Sequence, residues 1–192
     1  MEKKLSASLA EIQAAHPQAK VELWSQDQAR LSVFASLRRV WAPGGKRPIA
    51  LVQPRPIWAY GSAFVHPASA GSHRWVWSGV TIAMMTAMLA SFATRTAAGA
   101  RKRSVLVVDQ AGWHSSPTLL VPEGVHSVYL PSPTPELQPT ARLWPYVREA
   151  VANDTPADRA DLQQRLERRC VWLANNLDVM HAATHFHWWP ER

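Results

Sequence analysis

RSVLVVDQAGWH, Arg103 to His114, is the stretch on which the fold turns. A basic lead-in gives way to an apolar run, Val105 to Val108, and Asp109 follows with turn-forming residues directly behind it. A short apolar run bounded in this way reads as a buried central strand. An acidic side chain at the exit of such a strand is placed to meet solvent or a metal ion. Asp109 is therefore the first candidate site residue.

The chain around this strand is 192 residues long, with 47% hydrophobic and 18% charged residues. These values describe a globular chain with enough apolar matter for a sizeable core, not a disordered one. The ten tryptophans sit mostly in apolar, strand-like or helix-like contexts, where core packing is their default use. The tryptophans at 24, 41, 58 and 75 are evenly spaced, but their flanks share nothing, so there is no repeat. A single cysteine, Cys170, excludes an intrachain disulfide, and the start lacks the apolar core of a signal peptide. Both imply a reducing, cytoplasmic setting. Trp75 to Thr94 is uncharged, but its Ala, Ser, Thr, Met and Gly content reads as a strand running into a buried helix. No membrane span is expected.

Net charge is +7. Its distribution is more informative than its sum, because no Asp or Glu stands between Asp27 and Asp109. The same interval holds Arg30, Arg38, Arg39, Lys46, Arg47, Arg55 and further cations. Such a basic, acid-free half suits a phosphate backbone, although arginines spread over solvated faces would give the same counts. Arg30, Arg38, Arg39, Lys46, Arg47 and His114 are the candidate nucleic-acid contacts.

In chain order, Ser6 to Ala15 reads as a short helix and Val21 to Asp27 as a strand. Leu37 to Pro43 reads as another strand, closed by a turn at Gly44-Gly45, and a further one begins near Ile49. Ile57 to Pro67 with HRWVWSG then form a hairpin, followed by a helix over Thr81 to Thr94 and the central strand. Val125 to Leu130 is the last strand. After the prolines at 131, 133 and 135 come two helices, Glu136 to Asn153 and Asp158 to Asn176. This order predicts an α/β fold, a mixed sheet with helices on both faces. The chain divides into a helical lead-in (1–19), a catalytic domain (20–153) and a C-terminal helix and tail (154–192).

Three carboxylates occupy comparable places. Asp27 ends the first strand, Asp109 ends the central one, and Glu136 follows a strand and a proline turn at a helix start. A right-handed crossover would set Asp27 beside Asp109, with Glu136 reaching in. Clustered carboxylates repel unless cations sit between them, which points to Mg²⁺ or Mn²⁺ and phosphodiester chemistry. Taken singly, each acid would serve equally as a cap or turn residue; Glu136 in particular suits a helix N-terminus.

VELWSQDQAR, LRRVWAPGGKRP, VLVVDQAGWH and LPSPTPELQPTARLW resemble, in order, the DDE catalytic domain of bacterial insertion-sequence transposases. The branch is the insertion sequence six-thirty group, relatives of the mariner elements. The resemblance runs from Lys20 to Trp144, and the closing HFHWWP also resembles the group. It implies a ribonuclease-H-like, mixed five-stranded sheet flanked by helices, and cut-and-paste transposition. Asp27, Asp109 and Glu136 would be the catalytic triad, holding two Mg²⁺ or Mn²⁺ ions. The implied partners are double-stranded DNA, as element ends and target, and a second copy of the chain in a synaptic complex. The chain departs from the family pattern at Gln28, in the 131–135 turn, at Gln138 where Asn is usual, at Ala141 and at Pro145. Members also carry an N-terminal helix-turn-helix part, whereas 26 residues precede Asp27 here. That implies one half of a split reading frame, with a separate helix-turn-helix half, or a truncated copy. An inactive remnant that binds DNA non-specifically and a ribonuclease-H-like nuclease are the alternatives.

Other groups carry less. His114 could orient a phosphate or a metal-bound water, or bond to backbone. Trp113 could stack on bases or pack in the core. His181, His185 and His187 with Cys170 fit no usual zinc spacing, and Cys170 has no neighbouring partner that would make it a nucleophile.

Overall fold

A computed structural model describes residues 2–32, 37–49, 57–132 and 134–190. The strands are β1 (Lys20–Ser32), β2 (Trp58–His66), β3 (Gly71–Trp77), β4 (Lys102–Val108) and β5 (Val125–Tyr129). They form one sheet in the order β3-β2-β1-β4-β5, so the central strand is β1 and not the expected β4, which lies beside it. β1, β2 and β3 pair antiparallel as a meander, and β4 and β5 join parallel on the other side of β1. The sheet is thus mixed, as the order of elements predicts, and five-stranded, as the family resemblance implies.

The helices are α1 (Glu2–Ala15), α2 (Ile82–Thr96), α3 (Trp144–Arg148), α4 (Arg159–Asn175) and α5 (Leu177–Thr184). The alternation of side chains along a strand sorts the core into two faces. Trp24, Leu106, Val108 and Phe64 meet Met85, Met88, Leu89 and Phe92 of α2 on one face. On the other, Val21, Leu23, Val105 and Val107 meet Leu5 and Leu9 of α1. Further along that face, Leu31, Ala59, Ala63 and Val65 meet α3, α4 and α5 through Trp144, Leu162, Leu166 and Met180. β4 is buried at every position from Arg103 to Val108, which is why its sequence is a continuous apolar run rather than an alternating one. Among the described residues, no helix is long and apolar enough to cross a membrane.

Several expectations give way. β1 continues to Ser32, so Asp27 lies within the strand and not near its end. The strand expected over Leu37 to Pro43 is absent: residues 37–49 are exposed and irregular, with a turn at Gly44-Gly45. Most of the strand expected from Ile49, and Arg55, lie outside the described residues, as does Pro133 of the proline turn. The single helix expected over Glu136 to Asn153 is broken into 3-10 turns at Pro135–Leu137, Pro139–Leu143 and Glu149–Val151, with α3 between. Pro139 starts one segment and Pro145 is the second residue of another, since neither can donate the backbone bond that would continue the helix before it. α4, in contrast, forms as expected. Asp158 caps it, accepting a hydrogen bond from Asp161 N at 2.8 Å.

Candidate active site

The parallel register of β1 on β4 brings two acids level. Ser25 pairs with Val107, so two residues further on Asp27 stands beside Asp109. A cleft of about 420 Å³ opens there, lined by both carboxylates and by Gln110, Ser132, Thr134 and Gln138.

Each carboxylate is held from behind. The buried indole of Trp144 donates from Nε1 to Asp27 Oδ2 at 2.7 Å. Gly61 on β2 makes room for that ring, since a Cβ there would lie 2.9 Å from Trp144 Cζ3. Asp109 Oδ1 accepts from Ala111 N at 3.1 Å and from His114 Nδ1 at 2.6 Å. Electrostatically the two acids differ. Burial pushes the Asp27 carboxyl above the usual carboxylate range; the Trp144 bond opposes this, and the charge of Asp109 reinforces it. The His114 bond holds Asp109 below that range, against a smaller opposing effect of burial.

The far wall is bolted to β1. Gln138 is buried; its Oε1 accepts from Ser25 Oγ and its Nε2 donates to Gln26 O at 2.7 Å. Thr140 Oγ1 donates to Ser25 O at 2.9 Å. These bonds place Gln138, not Glu136, in the cleft wall. Glu136 lies exposed in the 3-10 turn Pro135–Leu137, outside the cleft lining. The structure therefore brings together Asp27 and Asp109 and leaves Glu136 apart. Among the described residues, no three His, Cys, Asp or Glu side chains are grouped to hold a metal ion. Burial and, behind it, repulsion from Asp109 raise the Asp27 pKa, and one hard divalent cation between the two acids would relieve both. The donor set as folded fits one such ion and lacks the third acid that a second would need.

The other candidates are scattered. His114, expected among the nucleic-acid contacts, is only 4% exposed and bonded to Asp109, so a duplex cannot reach it. Arg30 is exposed and lies over the Trp58 ring at 4.7 Å. Arg38 is paired with Glu149 at 2.9 Å, and its backbone N–H donates to Asn153 Oδ1 at 2.8 Å. Arg39, Lys46 and Arg47 are exposed on the irregular 37–49 arm, together with the fully exposed Trp41. Cys170 is partly buried in α4, and burial raises its thiol pKa, which does not suit a nucleophile. Trp144 and Ser25 are site residues that the sequence does not announce, and Gln138 stands out in the sequence only as a departure from the family pattern. Nothing in their local pattern marks them, because their roles arise from contacts more than a hundred residues away in sequence.

Residues 22–163 match the family model described as DDE superfamily endonuclease. The chain belongs to this family of DDE endonucleases. Over 46 residues it is 44% identical to the uncharacterized protein y4pE/y4sA of Sinorhizobium fredii, covering 24% of this chain and 34% of that protein. The DDE endonuclease fold extends to solved structures of the Mos1 transposase. A paired-end complex with the left transposon end superposes with a TM-score of 0.54 at 11% identity. It covers 98% of this chain and 62% of that one. A pre-cleavage Mos1 transpososome gives 0.56 at 10% identity, over 97% and 62% of the two chains. A Mos1 mariner paired-end complex with Mn gives 0.55 at 11%, with the same coverage. At such identities the likeness is one of fold, and that fold is the ribonuclease-H-like one. The chain spans about three fifths of the Mos1 chains and about a third of the curated relative it matches.

Proposed function

We propose that this DDE endonuclease is the catalytic domain of a metal-dependent DNA transposase. The observation that carries the proposal is the placing of Asp27 and Asp109 abreast at one cleft by the β1–β4 register. In this reading the two carboxylates hold Mg²⁺ or Mn²⁺. Bound there, the ion supplies Lewis-acid polarisation of a phosphodiester and lowers the pKa of water or of a 3′-hydroxyl. The chain's own part is to hold the two acids in a fixed relation and to seat the DNA. Arg30 and the exposed Arg39, Lys46 and Arg47 meet phosphates of the duplex. Hydrolysis nicks an element end, and the freed 3′-hydroxyl then attacks target DNA. Glu136, exposed in the Pro135–Leu137 turn between the cleft-lining Pro135 and Gln138, is the third acid by its place in the chain. A second copy of the chain, a separate helix-turn-helix half reading the element ends, and action in the cytoplasm complete the proposal.

The placing of Glu136 outside the cleft favours a second reading, an inactive remnant that binds DNA without cutting it. Nicking of supercoiled plasmid with Mn²⁺ separates the two. The transposase reading expects nicking that Asp109→Asn abolishes. Equal nicking by wild type and variant would show that the site lies elsewhere, and no nicking by either would favour the remnant. Joining of a pre-cut end to target DNA distinguishes a transposase from a simple nuclease.

A further inference from the structure

His114 is out of reach of DNA and takes no part in the reading above, yet it is buried and bonded at both ring and backbone. We infer that His114 is the positioning residue of Asp109: its imidazole fixes the plane of the carboxylate so that one oxygen is committed to the protein and the other is left for the cation. The inference rests on the reading of the cleft as a metal site.

Three observations carry it. The Nδ1 atom meets two acceptors, both belonging to Asp109: Oδ1 at 2.6 Å and the main-chain oxygen at 3.2 Å. Nδ1 therefore carries the hydrogen, and the bond to the carboxylate is short and charge-assisted. Next, the residue is anchored through its backbone as well. His114 is buried, its N–H donates to Ala111 O at 2.8 Å, and its carbonyl accepts from Tyr129 Oη on β5 at 2.8 Å. The imidazole is thus tied to the sheet and not merely to its own loop. Finally, among the described residues the bonds to the Asp109 carboxyl both fall on one oxygen. Ala111 N and His114 Nδ1 both reach Oδ1, while the side chain as a whole remains about half exposed at the cleft.

Two donors on one carboxylate oxygen remove the rotation that an acid at a strand exit would otherwise have. Partners that orient a metal ligand in this way typically contribute 10–100-fold in metal affinity or activity. A ring that served only to fill the loop would need bulk, not a donor at Nδ1. The two roles therefore separate by substitution. His114→Asn places an amide N–H near the Nδ1 position. His114→Gln places its amide near Nε2, and His114→Leu removes the donor while keeping bulk.

The test uses the full chain with Mn²⁺ alone as probe, followed by electron paramagnetic resonance, alongside the Mn²⁺ dependence of nicking. Expected is a weakening of Mn²⁺ binding by about tenfold or more in His114→Leu and His114→Gln, with His114→Asn within about threefold of wild type. Thermal melts show which variants remain folded, and His114→Gln carries the comparison if the leucine variant does not. Equal losses in the Asn and Gln variants overturn the inference in favour of packing. So does unchanged Mn²⁺ binding in all the His114 variants while Asp109→Asn abolishes it. If Asp109→Asn also binds Mn²⁺ like wild type, the metal site itself is wrong and the role of His114 goes with it.

Discussion

Asp27 is an acid kept where its charge is disfavoured. Its pKa is raised, chiefly by burial, so folding disfavours its charged form. Such a group supports folding below its unfolded pKa, about 3.9, and that support disappears as pH rises through the folded value. At neutral pH the carboxylate therefore costs stability. Asp27→Asn should raise the melting temperature at pH 7 by about 2–4 °C per kcal/mol relieved. The advantage should shrink as pH falls toward about 4, and the variant should be inactive in nicking. An amide oxygen can still accept from Trp144, so the substitution removes charge and little else. Asp109 behaves oppositely. The His114 bond lowers its pKa, so its contribution is present above the unfolded value and disappears as pH falls through the folded one. Melts of Asp109→Asn across the acid range should therefore show a deficit that opens as pH rises through the carboxylate range. Both acids are legible in the sequence, Asp109 from the apolar run before it and Asp27 from the acid-free interval between them. Their environments are not, since Trp144 reaches Asp27 across 117 positions.

Among the elements, strands are easier to foresee than helices near proline. β4 declares itself because burial on both faces demands an unbroken apolar run. Its parallel pairing with β1 follows from the handedness of the α2 crossover. The segment after β5 misleads because helical spacing continues through Pro139 and Pro145, whereas the backbone there must restart. Glu136 sits in the first of these short segments, the 3-10 turn Pro135–Leu137, where it is exposed. Tight local geometry recurs at Gly124, where the chain enters β5 with φ +82°. A Cβ there would lie 2.2 Å from the backbone nitrogen of Gly99. That nitrogen is itself fixed by a hydrogen bond to Lys102 O at 2.8 Å. Gly124→Ala should cost about 2–4 kcal/mol, the combined toll of left-handed strain and overpacking, read as a lower urea midpoint.

For the whole molecule, charge and exposure converge on the 37–49 arm. With Arg39, Lys46 and Arg47 exposed and no acid between Asp27 and Asp109, duplex binding should weaken steeply with salt. Replacing these three by Ala should lower the slope of log K against log salt by roughly 0.9 for each phosphate that is no longer neutralised. Arg38→Ala should change it less, because that side chain already pairs with Glu149. The arm also interrupts the chain between β1 and β2, two strands that remain paired from Ser25↔Val65 to Ser32↔Trp58. Exposed irregular backbone is where a protease cuts first, and trypsin has sites at Arg39 and Lys46. One cut leaves α1 and the central strand β1 with Asp27 on a short fragment, and Asp109 on the long one. β1 is hydrogen-bonded on both edges, to β2 and β4, and α1 is packed onto the same core, so the nicked chain should elute as one species until urea parts it. The acid pair would then be shared between two polypeptides, and mixing the separated fragments should restore metal binding that neither has alone.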